Sequence, residues 1–257
     1  MEKIVIKENS SFDLSKLDSN VSFDITSGEH ALSLFNIKEE CAINLNINND
    51  AILHLSIFCC NTLKNVQITG NLGKNAKIVG YFADFSTIEN KLKVDFNLND
   101  ENALCEWHLA SLSSQKDNKD IAVSIYHNHP LTFGRIDNYG VCKDNGKLVF
   151  SGISHIIKGC HQSKSHQNAK ILVFDEGCIA KAKPVLKIDE NDIEASHAAS
   201  VGKVSDEHIF YLTSRGLTTE EAKMLITLGY LKPILKGFDS SIQSEIDQLI
   251  ERRLANV

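Results

Sequence analysis

Residues 192–235, DIEASHAASVGKVSDEHIFYLTSRGLTTEEAKMLITLGYLKPIL, hold the change of pattern on which the fold is read. A polar strand end presents Ser196 and His197, and a glycine follows at Gly202. Ser205 can cap a helix over residues 206–215, with Ile209, Phe210 and Leu212 as its apolar side and Gly216 as its stop. Thr218 and Glu221 then form a T-x-x-E capping box. It opens a second helix carrying Ala222, Leu225 and Ile226, for which Gly229 is read as the stop. Further on, Ser240 with Gln243 opens a last helix whose one-sided stripe is Ile242, Ile246, Leu249, Ile250 and Leu254.

Upstream the period changes to two. Cys41, Ile43, Leu45 and Ile47 alternate with Ala42, Asn44, Asn46 and Asn48. Leu92, Val94, Phe96 and Leu98 alternate with polar neighbours, as do Cys105, Trp107 and Leu109 and then Ile121, Val123 and Ile125. Such runs are strands with one buried face. They recur about every 10–15 residues as far as residue 190 with no helix between them, which excludes βαβ winding and leaves a sandwich, a barrel or a solenoid. The chain has 3 prolines, and no Asn-Gly or Asp-Gly turn precedes residue 140, so tight hairpins are poorly signalled. Asn and Asp cluster at strand ends (NINND, GNLGKNA, NLNDENA), which suits broad solenoid corners. No repeat of fixed length is visible. Residues 1–203 are read as the β core, with 1–40 as an atypical cap, and 204–257 as a helical region.

Composition narrows the function. The formal net charge of −6 argues against phosphate-driven nucleic-acid binding. No stretch approaches the roughly 18 apolar residues of a membrane helix. The opening MEKIVIKENSS lacks a signal-peptide core, and 7 scattered cysteines without a C-x-x-C read as cytosolic thiols. A cytoplasmic location is expected. There is no Walker A motif and no G-x-S-x-G, and Glu39-Glu40 and Glu220-Glu221 read as a solvated turn and a helix first turn.

Over residues 121–237 the chain resembles the SufB/SufD family of iron–sulfur cluster assembly scaffolds. The matches run in fixed order: Pro184, Leu186 and Ile188; Asn191-Asp192; Ser196-His197; Gly202; Phe210-Tyr211-Leu212; Ser214-Arg215-Gly216; Glu221-Ala222. The resemblance implies a right-handed parallel β-helix followed by a small C-terminal α-helical domain. It implies pairing through the β-helix with a SufB-type subunit or a second copy, and docking of a SufC-type ABC ATPase on the C-terminal helices. A transient iron–sulfur cluster is implied at the seam between subunits, and none held permanently. Two departures bring the chain closer to SufD. Asn168 stands where SufB-type members carry a catalytic cysteine, and Ala198 follows His197 where they carry glutamate.

On that resemblance His197 is the first candidate for binding iron or a cluster, because imidazole is a borderline donor that suits iron. Cys178, in DEGCIA, is a second, as a thiolate able to take iron or sulfane sulfur. Phe210, Tyr211, Arg215 and Leu225 are the candidates for the ATPase-docking face; the alternative reading makes them helix-packing core. His127 and His129 share one face of an extended segment, a geometry that suits chelation. Cys160, His161 and His166 fall in one run, GCHQSKSH, yet need a corner to converge. The expectation is a SufD-like scaffold that is not itself an enzyme. A β-helix enzyme acting on polysaccharides, and a binding module that has lost cluster chemistry, stay open.

Overall fold

The computed structural model of the chain describes residues 1–254. Residues 255–257, the end of the expected helical region, lie outside the described residues, as does the side chain of Leu254, assigned above to the last helix's stripe. Sixteen strands come first: β1 (Glu2–Ile6), β2 (Ser10–Asp13), β3 (Asn20–Ile25), β4 (Gly28–Phe35), β5 (Glu40–Ile47), β6 (Ala51–Cys59), β7 (Asn65–Leu72) and β8 (Lys77–Asp84). They continue as β9 (Glu89–Leu98), β10 (Leu104–Ser113), β11 (Asn118–His127), β12 (Phe133–Cys142), β13 (Lys147–Ile156), β14 (Ser163–Val173), β15 (Ile179–Ile188) and β16 (Ile193–Lys203). Helices α1 (Asp206–Ser214), α2 (Thr219–Leu235) and α3 (Ser240–Leu254) close the chain.

The odd-numbered strands form one parallel sheet and the even-numbered strands another, each ordered along the chain. The backbone therefore winds as a parallel β-solenoid, each coil laying one strand on each sheet. Inward columns stack large side chains coil over coil: Leu45, Phe96, Ile125 and Phe150 from one sheet, Leu55, Phe82, Trp107 and Leu109 from the other, all buried. Trp107 fits because its coil-neighbour is Gly80; a Cβ there would stand 2.6 Å from the indole.

The corners explain the asparagines. Asp50, Asn75 and Asn102 all take left-handed backbone (φ 58°, 56° and 59°), which Asn and Asp tolerate best after glycine. Their side chains form a ladder: Asn75 Nδ2 donates to Asp50 Oδ1 at 2.8 Å, and Asn102 Nδ2 to Asn75 Oδ1 at 3.1 Å. Residues 1–40, read above as an atypical cap, supply β1–β4, which continue both sheets in register. A 3₁₀ turn at Leu14–Lys16 places Leu14 over that end, buried.

Helices α1 and α2 form on the signals anticipated for them, with one difference in α2, whereas α3 opens at Ser240 itself with Asp239 Oδ1, not Ser240, taking the Ile242 N–H at 2.9 Å. Ser205 Oγ caps α1, and Thr218 and Glu221 close the reciprocal box on α2. The second helix does not stop at Gly229: it runs to Leu235, through Pro233. Leu231, Ile234 and Leu235 are buried against Phe58, Leu112 and Val141 of the even-numbered sheet and Phe85 just past β8, with Ile246 and Ile250 of α3. Burying three such side chains, about 1.5–3 kcal/mol each, outweighs the combined ~4 kcal/mol penalty of an interior glycine and proline. Among the described residues no helix is long and apolar enough to cross a membrane.

Candidate functional site

The C-terminal end of the solenoid is open. β15 and β16 are the last strands of their sheets and carry no further neighbour. Ile179, Val185, Ile188 and Val201 are exposed there, and along β16 every residue from Ser196 to Lys203 is exposed. An uncapped coil of this kind offers unpaired backbone donors and acceptors together with apolar side chains.

His197 sits on this end. Its register places it in the inward-facing column of Trp107, Ile136 and Gln167, all three of them buried. With no strand beyond β16 to cover it, the imidazole at 197 is exposed. Gln167, one coil in, is held by hydrogen bonds from Nε2 to Ser154 Oγ (2.7 Å) and Val185 O (3.0 Å). That clamp fixes β14, the strand on which β16 and His197 are laid.

An open cleft of about 420 Å³ surrounds it, lined by Arg135, Asp137, His166, Gln167, Asn168, Ser196, His197 and Ala198. His166 Nδ1 and Ser196 Oγ are 2.8 Å apart across β14 and β16. Arg135 Nε donates to Asp137 Oδ2 at 2.8 Å, and His108 Nδ1 lies 3.2 Å from the same oxygen. Burial pulls the Asp137 carboxyl upward, but the hydrogen bonds from His108 and Arg135 outweigh it and hold the group below its ordinary value. The cleft thus combines a fixed carboxylate, a guanidinium and imidazoles at an open strand edge. Asn168, in the position noted for a cysteine, donates from Nδ2 to Tyr139 Oη at 3.3 Å.

Cys178 is not brought to this cleft. It lies at the corner leading into β15, partly buried, with Sγ 3.7 Å from Asp144 O. His127 and His129 separate because β11 ends at His127: the first is fully buried and the second exposed. Cys160 is buried and donates to His127 O at 3.2 Å, while His161 is exposed, so GCHQSKSH does not converge. Among the described residues no three His, Cys, Asp or Glu side chains are grouped to hold a metal ion. The sequence reading misses Arg135 and Asp137 and leaves His166 apart from them. Their signal is register: Arg135, His166 and Ser196 stand in one column across three coils, and unequal coil lengths hide that column.

The helical candidates are solvent-facing. α1 buries none of its residues. Phe210 is 73% exposed, Tyr211 56% and Leu225 51%. The Arg215 guanidinium lies over the Tyr211 ring at 5.1 Å, and the Arg215 N–H caps α1 on Leu212 O at 3.1 Å. The core reading of these side chains is set aside by their exposure.

Comparison with known proteins follows this geometry. The family model for the SUF system FeS cluster assembly, SufBD core domain, matches residues 3–230. The iron–sulfur cluster assembly protein SufD of Bacillus subtilis is 30% identical over 186 residues, 71% of this chain and 42% of that protein. A SufBD family iron–sulfur cluster assembly protein of Mycobacterium tuberculosis is 30% identical over 154 residues, 60% of this chain and 18% of that protein. One from Staphylococcus saprophyticus is 31% identical over 133 residues, 52% of this chain and 29% of that protein. The chain thus spans less than half the length of these relatives. With the solenoid, the helical end and the matched core in agreement, the chain belongs to the SufBD core family of the SUF system for iron–sulfur cluster assembly.

Proposed function

We propose that this chain is a non-enzymatic, SufD-like scaffold subunit of a cytoplasmic iron–sulfur cluster assembly complex. It pairs through the open end of its solenoid with a SufB-type subunit or a second copy of itself. It recruits a SufC-type ABC ATPase through α1 and the start of α2. The observation that carries the reading is the exposed His197 on the uncapped edge strand β16, inside the family's matched core. One imidazole is a single donor, so the cluster is cargo completed by donors from the facing chain rather than a resident group. Phe210, Tyr211, Arg215 and Leu225 have the exposure and chemistry of docking anchors: aromatic, aliphatic and guanidinium groups.

Co-purification tests this. The chain is expressed with the ATPase and the SufB-type subunit of its own host. The expected result is a stable complex that Phe210→Ala with Tyr211→Ala weakens at least tenfold without altering the fold. No association at micromolar concentration overturns the docking assignment.

A second reading, a binding module without cluster chemistry, is favoured by Asn168 engaged with Tyr139 and by Ala198 after His197. The two separate on His197→Ala. Loss of cluster assembly with the complex intact supports the scaffold that presents a ligand, and unchanged assembly supports the pure binding module.

A further inference from the structure

Ser113 and Cys142 stand in one column at a corner joining the two sheets; Val173 continues that column, while Cys178 lies at the corner leading into β15 on the other sheet. Ser113 ends β10 in register with Cys142, which ends β12. Ile179 opens β15 in register with Lys147, so Cys178 stacks beside Gly146 one coil on. Cys142 Sγ donates to Gly146 O at 3.0 Å, and Cys178 Sγ lies 3.7 Å from Asp144 O. Both thiols are therefore seated on the same corner, residues 143–146, close enough for the Cys178 thiol to act on Cys142. The corner does not demand sulfur: the equivalent Ser113 satisfies it with a hydroxyl, Oγ to Lys147 O at 3.0 Å.

The backbone holds the two thiols in place. Ile179 N donates to Gly146 O at 2.9 Å and Cys178 N to Asp175 O at 3.2 Å. Asp144 O and Gly146 O, the acceptors for the two thiols, belong to one turn closed by Gly146 N donating to Lys143 O at 3.0 Å, so both Sγ atoms stand over the same turn, in the short range a disulfide needs. Accessibility differs between the two. Cys142 is fully buried in the solenoid core, whereas Cys178 is partly exposed at its margin.

We propose that Cys142 and Cys178 form a reversible disulfide site that takes a two-electron, peroxide-class oxidant. The thiolate of the more accessible Cys178 attacks the O–O bond, giving a Cys178 sulfenic acid; the displaced hydroxide leaves as water with the thiol's proton. Cys142 Sγ then attacks the Cys178 sulfur, the S–O bond breaks, and the hydroxyl departs as water with the Cys142 proton. Two thiols and one peroxide become one disulfide and two waters. Two low-molecular-weight thiols of the glutathione class reverse the step, leaving as their own disulfide. Burial, reinforced by the Cys178 thiol beside it, holds Cys142 far above the ordinary thiol range, so Cys142 is not the thiol oxidised first. The bond ties the corner before β15 to the corner one coil earlier, just inside the open end. It depends on no assignment of partner or cluster.

Peptide mapping tests the site. The purified chain is treated with hydrogen peroxide, denatured, blocked with N-ethylmaleimide and digested. The expected product is a Cys142–Cys178 linked peptide, two hydrogens lighter than its reduced parts, that dithiothreitol separates. In Cys142→Ser, dimedone captures the stranded sulfenic acid at Cys178. The site is overturned if oxidised wild-type protein yields Cys178 as sulfinic acid or joined to another cysteine while Cys142 takes maleimide. It is equally overturned if both thiols take maleimide after the other cysteines have reacted. The wild-type peptide map suffices for either outcome, so neither requires a variant to fold.

Discussion

Lys119 Nζ lies 2.9 Å from the Asp84 carboxylate, and both side chains are fully buried. The pair joins the two sheets, since Lys119 comes from β11 and Asp84 ends β8. Asp84 also accepts from Ser111 Oγ at 2.8 Å and from Ser86 N at 3.1 Å, so its lone pairs are answered by protein donors. Burial works to strip the proton from Lys119, and the Asp84 charge works to keep it. Such a pair is costly to break and less costly to replace.

Asp84→Ala leaves a cation in a dry core and is expected to destabilise the fold by about 3–5 kcal/mol. Asp84→Leu combined with Lys119→Met is expected to recover most of that loss. Urea unfolding of the single and double variants checks both. Additive losses, with no recovery in the double variant, would show that the two groups do not act as a pair.

Arg253 performs the same task between α3 and the solenoid. Its guanidinium donates to Phe85 O (3.2 Å), Ser86 O (3.2 Å), Leu112 O (3.3 Å) and Ser114 Oγ (2.8 Å), and it pairs with Asp117. Asp117 is already fixed by Ser114 N at 3.0 Å and Ile88 N at 2.8 Å. Arg253→Ala is expected to free α3 while the sheets persist. Local opening becomes easier by about 2–3 kcal/mol, so amide exchange in α3 rises roughly thirty- to a hundred-and-fiftyfold. Exchange in α3 that stays at the wild-type rate would show that packing of Ile246 and Ile250 alone anchors the helix.

The strands were legible because each buries one face, and the helices because their caps are local. The coil length was not. Left-handed corner residues stand at 50, 75, 102, 131 and 162, intervals of 25, 27, 29 and 31, so over these four coils each is two residues longer than the one before. A search for a fixed repeat fails on such a series, and with it goes the register that assembles Arg135, His166 and Ser196 into a column. His197 was readable as a motif residue, but its exposure follows from where the sheet stops. The extension of α2 past Gly229 also lay beyond local reading, since it is set by what Leu231 and Ile234 bury.

Ile88 is a place where the fold holds strain. It takes φ 73° at the corner before β9 with its side chain 62% exposed. A β-branched residue is poorly suited to that backbone, and the side chain gains little burial in return. Ile88→Asn or Ile88→Gly keeps the N–H donated to Asp117 and is expected to raise stability by about 1 kcal/mol. Thermal or urea unfolding measures it. A variant less stable than wild type would mean that the Ile88 side chain contributes packing that outweighs the backbone cost.

His127 makes the fold sensitive to mild acid. It is sealed inside the last coils, with Nδ1 2.8 Å from Thr132 Oγ1 and Nε2 against the Cα of Gly134, where a Cβ would stand 2.8 Å away. Thr132 Oγ1 lies 3.1 Å from His129 O, and His127 Nε2 is buried with no hydrogen-bond partner. Burial first, and the nearby His155 second, push the imidazole from 6.5 down to about 4. Unfolded chain takes up a proton below pH 6.5 that the folded protein refuses until about pH 4. Stability therefore rises with pH across that window and is level outside it. The loss expected from this group between pH 7 and pH 5 is about 2 kcal/mol. Urea midpoints measured at both pH values check it, with His127→Gln as the comparison. The variant starts from lower stability but should show a flatter pH dependence by that amount, and an unchanged slope would place the acid sensitivity on another group.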